Sequence, residues 1–185
     1  MIPIKIVLTT NKKILDIAIS NYNLEKIVNE YDLDIYEGNL DQNEETEKIV
    51  FSRYDINKTE LLFQYISENY IYQKIVEIDD SKIFLNFELK SGDIVIPNTF
   101  ISLKDENKAF FSDIVIGENY DLLKFGLVLN GICLSVGDKK VDDLQDLKED
   151  FYADIIDKNS YDLIEKNTQL NNDSVFSSIK IVVSE

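Results

Sequence analysis

The chain has 185 residues, a formal net charge of −16 and 44% hydrophobic residues, which together predict one globular domain rather than a disordered chain. So acidic a surface repels phosphate backbones and anionic lipid, which argues against a nucleic acid or a membrane surface as a partner. The sequence has no histidine and one cysteine, Cys133, so it excludes Ser-His-Asp and Cys-His catalysis, a histidine-ligated metal and an internal disulfide. Its N-terminal apolar run is too short for a signal peptide, and we expect a cytoplasmic protein.

The first half of the sequence alternates short β-branched runs with amphipathic segments. This pattern predicts strands at residues 4–8, 31–36, 48–52 and 71–78, and helices at residues 12–20 and 58–69. Either Thr9 or Thr10 is expected to cap the first helix, because threonine is a favoured N-cap residue. The residues expected to face inward are Ile14, Ile17 and Ala18 on the first helix, and Leu61, Leu62, Tyr65 and Ile66 on the second.

The second half of the sequence is richer in predicted strands. Its apolar runs predict strands at residues 93–97, 109–116, 131–135 and 178–183, and helices at residues 144–151 and 157–169. Predicted strands and helices alternate at both ends of the chain, and the middle contains strands only. This order predicts an α/β fold with a mixed sheet. The predicted core consists of apolar strand residues: Ile6, Val7, Leu8, Ile49, Val50, Ile94, Val95, Ile96, Ile132, Leu134, Ile179, Ile181 and Val182.

Three segments of the second half carry motifs. Residues 89–97 are LKSGDIVIP, residues 131–138 are GICLSVGD, and residues 153–185 contain ADIIDKNSY followed by VFSSIKIVVSE. In the same order they resemble "LKVGDIVIP", "GLIASGD" and "ADAVDMESYAIA…PFLSIRVISD" of the purine nucleoside phosphorylase and nucleosidase superfamily, nearest to its methylthioadenosine/S-adenosylhomocysteine nucleosidases. The resemblance implies an α/β fold, a three-layer α/β/α sandwich around a mixed central sheet, and typically a dimer. It implies one domain over residues 1–185 that lacks the family's C-terminal helix.

The resemblance also implies chemistry, the cleavage of an N-glycosidic bond with no cofactor and no metal. It places Glu185 where the family has the acid that protonates the leaving purine. It places Asn159 and Ser160 where the "DMES" motif binds the ribose, and Asp138 at the turn that leads to the base pocket. These are the candidate catalytic and substrate-binding residues, and a nucleoside is the implied ligand.

The sequence departs from the family at the acid, at the ribose-binding carboxylate, at a glycine-rich turn and at an aromatic residue of the base pocket. Glu185 is one methylene longer than the family's Asp, and a shift of about 1 Å in a catalytic group can cost about a hundredfold in rate. Asn159 has no charge to stabilise a ribosyl cation, and Lys158 beside it would oppose one. The resemblance implies a glycine-rich turn at residues 80–84, which here are DSKIF, and it implies a stacking aromatic where Lys140 stands.

These departures favour a protein that keeps the fold, has lost catalysis, and serves in binding or assembly with copies of itself or with a related subunit. The alternative is a divergent, active purine nucleosidase that uses Glu185 as the acid and Asn159 at the ribose. A third possibility is that the resemblance is accidental and the chain is an unrelated α/β interaction protein.

Other charged residues have a structural and a functional interpretation. Asp157 is either a remnant of the ribose site or an N-cap of the following helix, and the cap is favoured. Arg53 either binds phosphate or forms a surface ion pair, which is favoured in so acidic a protein. The acidic runs at residues 44–47 and 142–146 are expected to be solvated faces, because neither has the spacing of an EF-hand calcium loop.

Overall fold

A computed structural model describes residues 4–39, 48–86, 88–104, 108–111, 128–137, 151–170 and 174–183. The described residues form two compact units. The first lies within Met1–Asp79 and Lys166–Phe176, and the second within Asp80–Glu165 and Ser177–Glu185. No helix in these described ranges is long and apolar enough to cross a membrane.

The first unit is a sheet with strand order β5-β1-β4-β3-β2, to which β5 contributes its residues up to Asp79. Strands β4, β1 and β5 run parallel, and β3 and β2 add antiparallel neighbours. Its elements are β1 (Ile4–Thr9), α1 (Lys12–Tyr22), β2 (Glu25–Ile27), β3 (Asp34–Asn39), β4 (Lys48–Arg53), a 3-10 turn (Ile56–Lys58), α2 (Thr59–Asn69) and β5 (Lys74–Ile83).

Helix α1 begins one residue later than either predicted cap. Asn11 is the N-cap, and its side chain accepts a hydrogen bond from the Lys13 backbone N–H at 2.8 Å. The prediction of Thr9 or Thr10 was wrong because Thr9 is the last, fully buried residue of β1, and the Thr10 hydroxyl binds elsewhere. Of the three residues predicted to face inward, Ala18 is buried and Ile14 packs against the core, but Ile17 is 61% exposed.

Both helices of the first unit bury apolar side chains. Leu15 and Ala18 of α1 pack in one cluster with Val7, Ile49 and Phe51 of the sheet. On α2 the predicted Leu62 and Ile66 are buried, while the predicted Leu61 is 37% exposed and the unpredicted Phe63 is buried. Other fully buried apolar side chains of the first unit include Ile6, Leu8, Ile35 and Ile75.

The second unit is a mixed sheet with strand order β10-β6-β8-β9-β5, and β7 pairs with β6. The pairs β6–β8 and β8–β9 are parallel, and the pairs β6–β7, β6–β10 and β5–β9 are antiparallel. Its elements are the end of β5, β6 (Ile94–Ser102), β7 (Ala109–Phe111), β8 (Val128–Ser135), β9 (Ile155–Asp157), the start of α3 (Ser160–Leu170) and most of β10 (Val175–Val182).

A glycine in a left-handed conformation leads into β6. Gly92 has a φ of +95°, a value that side chains with a Cβ rarely adopt. Its N–H donates to the Val182 carbonyl at 2.8 Å, which joins this turn to the end of β10. The GDIVI segment therefore forms the turn and strand that the sequence predicts.

Ten of the thirteen predicted core residues are buried, and Ile132, Ile179 and Ile181 are partly buried instead. Strand β10 alternates, so Phe176, Ser178, Lys180 and Val182 are its buried residues. The sequence did not predict the short strands β2 and β9. The strand expected at 109–116 is described only over its first three residues, which form β7, and the helix expected at 144–151 falls almost entirely outside the described residues.

Candidate functional site

The parallel strands β8 and β9 of the second unit end side by side in polar residues. Ser135 and Asp157 are register partners at the carboxyl ends of these strands. Helix α3 begins at Ser160, three residues after β9 ends. In α/β sheets, ligands bind outside the carboxyl ends of parallel strands, so this is where a site is expected on topological grounds alone.

Asp157 is the centre of a buried network, which we call the Asp157 network. The Lys180 ammonium lies 2.7 Å from its Oδ2, and the Ser135 hydroxyl donates to Oδ1 at 2.7 Å. The Ser160 hydroxyl donates to Oδ2, and the Ser160 backbone N–H lies 3.3 Å from the same oxygen. The Tyr161 backbone N–H donates to Ser135 Oγ at 2.9 Å. Each oxygen of the carboxylate therefore already has protein partners.

The side chains of Asp157 and Lys180 are 2% and 1% exposed. Burial by itself would raise the pKa of the Asp157 carboxyl, because it disfavours the charged form. The nearby Lys180 ammonium and the hydrogen bonds from Ser135 and Ser160 outweigh burial and hold that pKa below its usual value. The pair is thus a buried ion pair whose two charges satisfy each other.

The two described candidates from the "DMES" comparison, Asn159 and Ser160, are both buried. Asn159 is 3% exposed, and its carbonyl accepts the N–H of Leu163 at 3.1 Å, the first hydrogen bond of α3. Asn159 therefore holds the N-cap position that was predicted for Asp157. The Asp157 carboxylate does accept the N–H of Ser160, in the first turn of the helix, as a cap would. Asp157 itself, however, is the last residue of β9.

The segment at residues 80–84, where the resemblance implies a glycine-rich turn, continues strand β5. Lys82 and Ile83 pair with Ile156 and Ile155 of β9. Phe84 is 3% exposed and belongs to an apolar cluster in the second unit. Its N–H donates to the Asp154 carbonyl at 2.9 Å. Side chains and paired strand backbone therefore occupy the place of an open turn.

The polar groups at the carboxyl edge of the parallel strands in the first unit also form hydrogen bonds with one another. Thr10 donates to the Asp79 carboxylate from its backbone N–H at 3.1 Å and from its hydroxyl at 2.7 Å. The Tyr54 hydroxyl donates to the fully buried Glu77 at 3.3 Å. The first contact joins the end of β1 to β5 and the second joins the end of β4 to β5, where that topology would otherwise leave polar groups for a ligand.

Arg53 forms the predicted surface ion pair. Its guanidinium lies 3.0 Å from Asp34, and the two side chains are 39% and 31% exposed. Among the described residues, no group of three or more acidic, histidine or cysteine side chains is placed to hold a metal ion. The two acidic runs considered for a metal lie outside the described residues.

Four residues of the sequence argument, Glu185, Asp138, Lys140 and Ser184, are outside the described parts of the chain. Conversely, the sequence comparison missed Lys180 and Ser135, which complete the Asp157 network. A signal for Lys180 was present, because a lysine within the apolar run Ile179–Val182 requires a buried counterion if its strand is covered.

The chain matches no known protein family's sequence profile and no curated protein. It does match solved structures. The methylthioadenosine/S-adenosylhomocysteine nucleosidase of Neisseria meningitidis, solved with methylthio-immucillin-A, has a TM-score of 0.77 and 14% identity over 98% of this chain and 85% of that one. The Streptococcus pneumoniae nucleosidase, solved with a transition-state inhibitor, has a TM-score of 0.78 and 13% identity over 97% and 84%.

A related enzyme class matches equally well. The futalosine hydrolase of Helicobacter pylori has a TM-score of 0.74 and 11% identity, covering 100% of this chain and 88% of that one. All three proteins are members of the nucleoside phosphorylase/nucleosidase superfamily. The predicted fold class is thereby confirmed, and the chain has the α/β nucleosidase fold with its mixed sheet.

Proposed function

We propose that this nucleosidase-fold protein does not cleave a glycosidic bond and serves instead in binding or assembly. The observation that carries the proposal is Asn159, a buried neutral amide at the position that resembles the Glu of the ribose-binding motif. In the same motif, the carboxylate of Asp157 is held by Lys180, Ser135 and Ser160. A nucleosidase needs its polar groups there free to stabilise charge on the sugar.

Charge in this region supports the same conclusion. The resemblance requires a carboxylate at the sugar, and Asn159 supplies a neutral amide that is 3% exposed. Lys180 adds a buried cation close by. A positive ribosyl transition state would gain no stabilisation from the neutral Asn159 amide, and the described carboxylate of Asp157 is already neutralised by Lys180.

The continuation of β5 through Ile83 is a second support. A glycine-rich turn allows backbone N–H groups to approach a nucleophile, and a paired strand followed by the buried Phe84 does not. This change is independent of the ribose position, so two separate parts of the family's chemistry are altered.

The sequence around the end of β10 differs from the motif in length as well as in residue type. The resemblance sets Ser184 and Glu185 at the last two places of SIRVISD, and it needs one extra residue between Ser178 and Ser184 to do so. The proposal therefore expects no general acid at this position, whereas an active nucleosidase would depend on Glu185.

The test is purine release by the whole chain from methylthioadenosine, adenosylhomocysteine and inosine, with Glu185→Gln as the paired variant. We expect release no faster than in buffer, and no difference between the two proteins. Turnover that disappears in Glu185→Gln would establish the divergent nucleosidase and overturn the proposal. Asn159→Asp serves as the matched control, since restoring a carboxylate alone is not expected to create activity.

A further inference from the structure

A groove of about 570 Å³ lies at the sheet edge of the first unit, and we call it the edge groove. It is separate from the Asp157 network and from the Thr10–Asp79 contact. Its residues Glu25, Ile27, Glu37, Asn39 and Lys48 share one face of the sheet. They do so because Glu25 pairs with Glu37, Asn39 pairs with Lys48, and residues two apart on a strand point the same way.

Two carboxylates meet directly across strands β2 and β3 in this groove. Glu25 and Glu37 are register partners, so their Cβ atoms are about 5 Å apart, and like charges in this arrangement are destabilising. No lysine or arginine of the described ranges forms an ion pair with either carboxylate. The pair therefore leaves a local excess of negative charge that a cationic group would relieve.

One of these carboxylates is held in a fixed position. The Tyr70 hydroxyl, at the end of α2, donates to Glu37 Oε1 at 2.5 Å. Burial and the adjacent Glu37 raise the pKa of the Tyr70 phenol, so it stays a donor at physiological pH. A side chain that is fixed in advance loses less entropy when a ligand binds.

The opposite end of the groove carries a cation. Lys48 is exposed and forms no ion pair within the described parts of the chain. It lies one strand across from Glu37 and two residues along, a Cα separation of about 8 Å by sheet spacing. A lysine at this separation could reach Glu37, but the described chain has no ion pair between them, so Lys48 presents its ammonium at the other end of the groove.

We propose that the edge groove binds a small aliphatic zwitterion, with its ammonium between Glu25 and Glu37 and its carboxylate at Lys48. The side chain of Ile27 offers apolar surface for the intervening methylenes. A volume of about 570 Å³ is within the range of small-molecule sites. The inference does not depend on whether the chain cleaves nucleosides.

The test is calorimetric titration with 6-aminohexanoate, which is neutral overall and so is not simply drawn to an acidic protein. We expect saturable binding with a Kd below about 1 mM. Glu25→Gln and Lys48→Met should each weaken it by about tenfold, the loss expected for one charge-assisted contact. Glu88→Gln, an exposed acid in the second unit, should leave the Kd unchanged.

Hexanoate and hexylamine, each with one of the two charges, separate a specific site from general attraction. Both should bind at least about fivefold more weakly than 6-aminohexanoate. Equal binding of hexylamine, a Kd that Glu25→Gln and Lys48→Met do not change, or no saturable binding would each overturn the inference. Thermal unfolding of both variants, which alter exposed side chains, verifies that they fold.

Discussion

The ammonium of Lys180 lies 2.7 Å from the Oδ2 atom of Asp157, and neither side chain is more than 2% exposed. The contact joins β10 to β9 within the second unit. Its geometry makes each residue the other's counterion, so the loss of either one leaves a buried charge without compensation. Stability rather than chemistry is the property that this pair is expected to control.

Replacing Lys180 with methionine is expected to destabilise the fold by about 3 kcal/mol or more, because Asp157 stays buried and loses its counterion. Urea denaturation followed by far-UV circular dichroism measures the change. The double variant Lys180→Met/Asp157→Asn should lose less than the sum of the two single changes, since it removes both charges.

The exposed pair Lys104–Asp162 is the control for that experiment. Its atoms are 3.2 Å apart and its side chains are 69% and 38% exposed. Lys104→Met should therefore cost less than about 1 kcal/mol. Equal effects of Lys104→Met and Lys180→Met would contradict the interpretation of Lys180 as the partner of a buried charge.

Acid should weaken the fold through Asp157. Its carboxyl has a lower pKa in the folded chain than the value of about 3.9 expected when unfolded, so its contribution is complete above that value. The contribution is then lost as the pH falls through the lower, folded pKa. Urea midpoints between about pH 5 and pH 3 should fall more steeply for the wild type than for Lys180→Met/Asp157→Asn. Parallel curves would exclude this role.

Gly92→Ala should destabilise the second unit by about 1–2 kcal/mol. The cost comes from the backbone, since Gly92 has a φ of +95° and a Cβ there meets no atom within 4 Å. Ser91→Ala, at the exposed neighbouring residue, should change stability by less than about 0.5 kcal/mol. Differential scanning calorimetry compares the two, and a neutral Gly92→Ala would show that the turn tolerates other conformations.

We expect the chain to form a dimer or a larger assembly. Phe111 and Tyr152 of the second unit are 78% and 75% exposed, which is high for aromatic side chains. Sedimentation velocity at about 10 μM should show a species of at least twice the chain mass, since stable dimers persist at such concentrations. A monomer at that concentration would remove the prediction.

The strands were predicted best where local composition and burial agree. Ile4–Thr9 and Lys48–Arg53 contain β-branched runs that are covered on both faces, so their apolar pattern is nearly continuous. Strand β9 was missed because it has only three residues, and the helix that was expected to begin at Asp157 overlapped its last residue. So short a strand forms through its neighbours β8 and β5 rather than through its own propensity.

The polar interior was the harder part to predict. Lysine is almost never fully buried, and although the apolar run around Lys180 hinted at a buried lysine, the sequence did not identify Asp157 as its counterion. Thr10 and Asp79 are 69 residues apart in the sequence. The Thr10 hydroxyl binds Asp79 and does not cap α1, although local sequence rules favour threonine as a cap. Both cases depend on tertiary pairing, which no short segment encodes.

Titration with methylthio-immucillin-A, the compound bound to the Neisseria meningitidis nucleosidase, tests the central claim most directly. An active site binds a transition-state analogue far more tightly than a substrate, because its groups are placed for the developing charge. With Asp157 neutralised by Lys180, and Asn159 in place of a carboxylate, we expect no binding tighter than about 1 mM by calorimetry. A Kd of about 1 μM or below would show that a working nucleoside site exists and would contradict the account.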